Sequence, residues 1–414
     1  MRRGSPVLSM SMTNSERDSA ASTARAADAR SPFVRLAELI GDLKPGKPII
    51  NLSVGEPQHP IPSFVGPVLA AHLPRFGRYP LGKGTEQFRR AASDWLGRRY
   101  GLKRALDPEN EIIVLSGTRE GLFLAAIAAK RWVAPRAGKP AILIPNPFYV
   151  PYAAAAEAAG CEPVYLAATA ASAFMPDLDR LDESLLARTV AMYLASPSNP
   201  QGAVADLSYL TRVAALARRH GFLVFTDECY SEIYTRQAPR GMLEAAGPDF
   251  ANVVVFHSLS KRSSVPGLRV GFAAGDRRFI FKFLDLRNVA SAQVPEPAQE
   301  VAVVAYGDEA HVEENRRLYA AKFDLADQII GDRYGYRRPA GAFFLWLNVG
   351  AHGGSEQAAL RLWREAGLRV LPGRYIARDL PDGSNPGADY IRVALVQDKE
   401  ATAEALHRLV AVLG

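Results

Sequence analysis

Lys261 stands in a stretch, residues 255–271 (VFHSLSKRSSVPGLRVG), that gathers groups able to do chemistry: Ser258 and Ser260 flank the lysine, and Arg269 follows eight positions on. An amine is a nucleophile only when neutral, and desolvation or a nearby cation lowers its pKa toward that state. Arg269 is a candidate cation. Two hydroxyls and a planar guanidinium also suit a phosphate monoester. A lysine beside a phosphate site is what pyridoxal phosphate needs, since the amine forms a Schiff base and the phosphate anchors the ring. By itself, Lys261 reads as a surface lysine after a strand. The rest of the chain changes that reading.

Asp227 closes the apolar run FLVFTDE. A carboxylate there can pair with a ring nitrogen and keep it protonated; its other uses are a helix cap or a metal ligand, and no His or second carboxylate cluster at ligand spacing supports a metal. Tyr230, three residues on, can donate to a phenolic oxygen, and so can Asn199, which lies in a Pro-bounded turn. Ser116-Gly117-Thr118 opens a helix and offers N–H groups and a hydroxyl to a phosphate; ordinary N-capping is the other use. Tyr149 can stack on a ring or pack in the core. Arg392, on the apolar run YIRVALV, is a charge where burial is expected, and it needs a partner. A substrate carboxylate or a structural ion pair would serve.

The elements that must position these residues alternate. Apolar runs at 112–115, 141–144, 191–195, 223–226 and 253–257 read as strands, with helical patterns between them. This is an α/β chain with a mostly parallel sheet, and the polar loops fall where such sheets bind ligands, beyond the carboxyl ends of the strands. After residue 276 come long helices, then a smaller α+β set with strands at 343–348, 369–371 and 390–395. A further strand is expected at 48–53 and another at 269–273. The expected organisation is a disordered tail over 1–30, an N-terminal segment of the small domain over 31–68, a large cofactor-binding domain over 69–304, and a C-terminal small domain over 305–414.

Composition narrows the class. At 414 residues, two domains are the prior, and 48% hydrophobic with 22% charged residues is globular. Two cysteines fit a reducing cytosol rather than a disulfide framework. No apolar run is long enough for a membrane helix. The net charge of +7 is scattered, without a nucleic-acid motif, so it reads as a solvated surface, compatible with anionic substrates and an anionic cofactor.

Together these motifs resemble the class I/II aminotransferases, pyridoxal-phosphate enzymes of fold type I, over residues 31–414: SPSNPQG, TDECY, SLSKRSSVPGLRVG and RVALV come in the family's order. The resemblance implies that Lys261 is the Schiff-base lysine and general acid/base. Asp227 then pairs with the pyridine nitrogen, and Asn199 and Tyr230 contact the ring oxygen. Gly117, Thr118, Ser258 and Arg269 hold the phosphate, Tyr149 stacks on the ring, and Arg392 binds the substrate α-carboxylate with Gly55 beside it. Tyr79, before a glycine-rich loop, matches a tyrosine that reaches the neighbouring subunit's phosphate, which implies a homodimer with a shared site. LSVGEPQHPIPSF, NPFYVPY and EAHVEENRRLY look like the succinyldiaminopimelate aminotransferases of lysine biosynthesis, which implies a cytoplasmic enzyme transferring an amino group to 2-oxoglutarate. The loop Pro80-Leu81-Gly82-Lys83-Gly84-Thr85 and residues 288–297 depart from that pattern. A distal substrate carboxylate needs its own cation, and Lys83 is the candidate. An aminotransferase for another amino acid, a lyase using the same cofactor, and a non-catalytic binding protein on this scaffold are the competing readings.

Overall fold

The computed structural model describes residues 30–133 and 138–414. The tail expected over residues 1–30 lies outside the described residues except for Arg30. The central element is a seven-stranded sheet. Its strands are β2 (Ile112–Leu115), β3 (Ala141–Asn146), β4 (Glu162–Ala167), β5 (Thr189–Ala195), β6 (Leu223–Asp227), β7 (Val253–Ser258) and β8 (Gly271–Gly275). They lie in the order β2-β8-β7-β6-β5-β3-β4. From β4 to β7 all neighbours are parallel, while β8 is antiparallel to both β7 and β2.

Most of these strands are apolar throughout because both faces are covered. Successive side chains serve opposite cores. Val224 joins one with Phe88, Trp95 and Leu210; Phe225 joins the other with Leu122, Tyr152 and Phe279. Helices Glu86–Tyr100 and Leu207–His220 pack on the first face, and Thr118–Trp132 and Arg277–Ala290 on the second. Side-chain caps start several of them: Thr85 accepts from the Phe88 N–H, Asp206 from Tyr209 and Asp276 from Arg278.

A second core lies around a three-stranded antiparallel sheet, β11 (Leu371–Pro372), β12 (Tyr390–Ala394) and β9 (Phe344–Asn348), with helices Ala310–Ile330, Gly354–Ala366 and Lys399–Leu413. β1 (Ile50–Asn51) pairs in parallel with β10 (Leu368–Arg369), so the N-terminal segment packs with the C-terminal part. Leu52 is buried in the same core, and its carbonyl accepts from Ala394 N–H at 2.8 Å.

Three expectations change. The strand expected at 48–53 forms pairs at Ile50 and Asn51 alone. The one expected at 369–371 divides at Val370, where the chain crosses from the β1 ladder to the β12 ladder. Arg269 lies outside β8, in a left-handed turn with φ 58° that turns the chain before the strand begins. Two of the expected domain boundaries fall inside helices. Residue 305 falls inside helix Glu296–Gly307, whose Val301 and Tyr306 pack in the core under the large sheet. Residue 69 falls inside helix Val65–His72, which packs on that same core.

Candidate active site

The topology brings the motifs together. β5 leads to Asn199, β6 ends on Asp227, and β7 runs into the short helix Leu259–Arg262 that carries Lys261. The register pairs Ser258 with Gly271 and Leu115 with Gly271. Because β8 runs against its neighbours, its start lies beside the ends of β7 and β2. Ser116, Gly117, Ser258 and Arg269 therefore share one edge of the sheet.

Asp227 is buried, with 8% of its surface exposed. Its Oδ2 accepts from the Tyr152 hydroxyl at 2.8 Å, and its Oδ1 from the Cys229 N–H at 3.2 Å. Tyr152 is absent from the sequence-derived set. Tyr149 lies just before helix Pro151–Ala158 and Tyr152 in its first turn, with their ring centroids 5.7 Å apart. Tyr149 is half-buried, and its hydroxyl accepts from Arg119 Nε at 2.9 Å.

Lys261 Nζ donates to the Gly55 carbonyl and lies 5.4 Å from the Phe343 ring centroid and 5.8 Å from that of Tyr230. Burial among these rings, with Arg392 adding repulsion, lowers the lysine pKa to about 8. Gly55 must be glycine, since a Cβ there would sit 2.7 Å from Phe344 Cζ. Arg392, 5% exposed, donates from Nη1 to Asn199 Oδ1 at 2.9 Å and from Nη2 to the Ser53 carbonyl at 2.6 Å. Its guanidinium lies 4.5 Å over the Phe344 ring, and its Nε has no hydrogen-bond partner. Burial lowers its pKa to about 10. Asn199 thus spends its carbonyl on Arg392, leaving its amide group to donate elsewhere.

Arg269 donates to the Pro266 and Ser116 carbonyls, and its guanidinium covers Gly117. A Cβ on Gly117 would fall 2.0 Å from Arg269 Nη2. The cation therefore sits over the first turn of helix Thr118–Trp132, whose leading N–H groups have no intrahelical partner. Ser258 lies alongside, its Oγ bonded to Ser260 Oγ at 2.9 Å. The Thr118 hydroxyl is 3.2 Å from Cys229 Sγ. Guanidinium, helix N-terminus and hydroxyls form a cradle for a phosphate dianion. With a buried carboxylate and an amine nearby, this donor set fits pyridoxal phosphate.

Two expected residues stand apart within one chain. Tyr79 is 98% exposed. Lys83 Nζ pairs with Glu109, which also takes Arg89 at 2.6 Å, before the start of β2.

The model of the family "Aminotransferase class I and II" matches residues 47–409. The chain belongs to this family. It is a fold type I, pyridoxal-phosphate-dependent aminotransferase. It is 32% identical to an LL-diaminopimelate aminotransferase of Desulforudis audaxviator, over 92% of this chain and 95% of the relative. An aminotransferase structure from Neisseria meningitidis matches with TM-score 0.87 and 38% identity, covering 93% of this chain and 98% of that one. A "probable N-succinyldiaminopimelate aminotransferase" from Thermus thermophilus matches with TM-score 0.82 and 26% identity, covering 92% and 100%.

This geometry makes the cofactor chemistry testable at two residues. A lysine with pKa about 8 is mostly ammonium at pH 7 and mostly free amine at pH 9. The rate at which apo-aminotransferase captures pyridoxal phosphate should therefore rise about tenfold over that interval and level off. Absorbance of the lysine-bound cofactor measures it; a flat profile, or capture by Lys261→Ala, would remove Lys261 from this role. Asp227→Asn should still bind cofactor but lose activity by about a thousandfold, about 4 kcal/mol, because a neutral amide cannot stabilise a protonated ring nitrogen. Turnover within about tenfold of wild type would give Asp227 another role.

Proposed function

We propose that this aminotransferase acts on N-succinyl-LL-2,6-diaminopimelate, with 2-oxoglutarate as amino acceptor, as a homodimer whose active sites are shared. The observation that carries the reaction is a buried Lys261 close enough to both Arg392 and Asp227 for each to act on its charge. Bound pyridoxal phosphate supplies an electron sink for the Cα–H bond of the amino acid. Asp227, held by Tyr152 and the Cys229 N–H, keeps the ring nitrogen protonated. Asn199 and Tyr230 donate to the ring oxygen, and Tyr149 covers the ring. Gly117, Thr118, Ser258 and Arg269 hold the phosphate. Arg392 takes the substrate α-carboxylate in its fork of donors, which aims Cα at Lys261. Lys261 Nζ takes the Cα proton, and its lowered pKa suits a base working near neutral pH.

Support for the substrate comes from the relatives. One named for LL-diaminopimelate and one for its N-succinyl form share the same carbon skeleton. Beside Arg392 on β12, Tyr390 stacks on Trp346 at 4.9 Å and 1°, and Phe174 packs edge-on against Tyr390 at 6.4 Å. A flat aromatic wall suits a long substrate chain. Unacylated LL-diaminopimelate is the second reading, favoured by the name of the relative at 32% identity. Its distal end carries an ammonium, whereas the succinylated form carries only carboxylates there. A panel of amino donors against 2-oxoglutarate decides. The expected result is a kcat/KM for the N-succinyl compound at least tenfold above LL-diaminopimelate, glutamate and aromatic amino acids. Preference for LL-diaminopimelate selects the second reading, and brisk turnover of aromatic amino acids alone removes both.

Support for the dimer is an apolar surface. Leu73 (57% exposed), Phe76 (55%), Tyr79 (98%) and Leu81 (60%) lie along one segment. The Gly82 carbonyl accepts from Arg287 at 3.4 Å, and a Cβ on Gly82 would meet Asn288, so this segment lies beside helix Arg277–Ala290, which exposes Phe281 (61%) and Val289 (84%). Exposed apolar surface of this kind marks a protein interface. Mixing Tyr79→Phe with Lys261→Ala subunits should give activity above either parent, because one site of the mixed dimer escapes both defects. Absence of recovery, with subunit exchange verified, counts against a shared site. Among the described residues, no helix is long and apolar enough to cross a membrane.

A further inference from the structure

Both site cations lean on one irregular strip, the residues between β1 and helix Val65–His72. Ser53 O accepts from Arg392 and Gly55 O from Lys261. Past β1, no helix or sheet ladder fixes residues 53–60. Such a strip needs another restraint if its carbonyls are to hold two charged side chains in register.

The restraint lies at His59. Its Nδ1 is 2.6 Å from Asn315 Oδ1, and its Nε2 is 2.8 Å from Lys322 Nζ. The ring lies on Tyr319, with centroids 4.4 Å apart. All three partners belong to helix Ala310–Ile330. Asn315 Nδ2 donates to the carbonyls of Lys261 at 3.1 Å and Arg262 at 3.2 Å. Lys322 also donates to the Leu395 carbonyl, just past β12, at 3.2 Å.

The network has one consistent direction. Asn315 uses its NH2 on two carbonyls, so its Oδ1 faces His59 and accepts there and from the Ser264 hydroxyl. His59 Nδ1 is then the donor, and Nε2 accepts from the Lys322 ammonium. Donation therefore runs from Lys322 through His59 and Asn315 to the backbone of Lys261. We propose that Lys322, His59 and Asn315 form a directional latch that fixes the Gly55 strip to the catalytic lysine, making His59 and Lys322 positioning residues for transamination. The strip touches the head of Lys261 at one end and, through Asn315, its backbone at the other.

The charges around the latch agree with a neutral imidazole. Burial lowers the His59 pKa below its usual value, opposed by the bond to Asn315; Lys322 lowers it further and Glu314 acts weakly against that. Burial lowers Lys322 to about 8, with Asp398 opposing from the start of the last helix. A histidine whose folded pKa is depressed contributes stability above its unfolded pKa and loses it as pH falls below about 6.5. Protonation would set an N–H against the ammonium and release the latch.

The test compares cofactor-loaded wild type with His59→Phe, His59→Asn and Lys322→Met. Phenylalanine keeps a ring on Tyr319 but cannot hydrogen-bond, while asparagine keeps a donor where Nδ1 stood. For the amino donor that wild type turns over fastest, His59→Phe should lower kcat about tenfold at a nearly unchanged Tm. Hydrogen exchange at the amides of residues 53–59 should accelerate in the same variant. His59→Asn keeps the bond to Asn315 and loses only the one to Lys322, so its kcat should stay within about threefold of wild type. Lys322→Met breaks that same bond alone, so it should lower kcat by a similar amount, about two- to threefold, while keeping or raising Tm, because it removes a buried ammonium. In wild type, exchange of the strip, corrected for its intrinsic pH dependence, should accelerate below about pH 6.5, and in His59→Asn it should not. Wild-type kcat and strip exchange in both His59→Phe and Lys322→Met would overturn the proposal, as would equal losses in His59→Phe and His59→Asn. If His59→Phe fails to fold, wild-type kcat and strip exchange in Lys322→Met alone overturn it.

Discussion

The site depends on holding two cations close together in a poorly solvated space. Arg392 is almost wholly enclosed, and among the described residues no carboxylate pairs with it; its partners are the neutral Asn199 side chain and a backbone carbonyl. Lys261 meets a carbonyl and two aromatic rings. Desolvation is the largest influence on both pKa values. An enclosed cation without a counter-ion destabilises a fold by several kcal/mol, and an anionic ligand offsets that. The same arrangement lets a lysine shed its proton near neutral pH and leaves a guanidinium ready for a carboxylate.

Holding that charge arrangement falls largely to backbone. Ser53 and Gly55 act through their carbonyls, and Gly55 achieves this because its missing side chain lets the strip lie against Phe344. A carbonyl carries only a partial charge, so it steadies a cation without neutralising it. A carboxylate in the same position would hold Lys261 as ammonium and compete with the substrate for Arg392. The cost is mechanical: a carbonyl on an irregular strip is only as well placed as the packing behind it.

The sequence was most readable where function follows from a strand end. Asp227, Asn199 and Lys261 lie at or just past the ends of β6, β5 and β7, and the run of apolar residues before each announced the strand. Arg269 was picked out by type, yet its side chain covers Gly117 rather than Lys261, because a left-handed turn redirects the chain. Tyr152, Ser53 and His59 went unread for a different reason. Each matters through a partner far away in sequence, Asp227, Arg392 and Asn315, and no local pattern encodes such a pairing. The pairing of Lys83 with Glu109 went unread in the same way, since a lysine in a glycine-flanked loop looks free until Glu109 folds beside it.

The antiparallel placement of β8 explains how one sheet edge serves both ends of a cofactor. In a wholly parallel arrangement the chain returns at the opposite edge, and the turn before β8 would lie far from the end of β7. Reversal instead puts Gly271 beside Ser258 on one side and Leu115 on the other. Arg269, two residues earlier, is therefore delivered to the start of helix Thr118–Trp132. Gly271 is itself constrained, since a Cβ there would lie 2.6 Å from the His257 carbonyl. Side chains alternate along a strand, so a one-residue slip would exchange the two faces of β8. Phe272 and Ala273, buried in opposite cores, would then each occupy a space shaped for the other. The packing of β8 thus fixes the register, and the register fixes where the phosphate cradle forms.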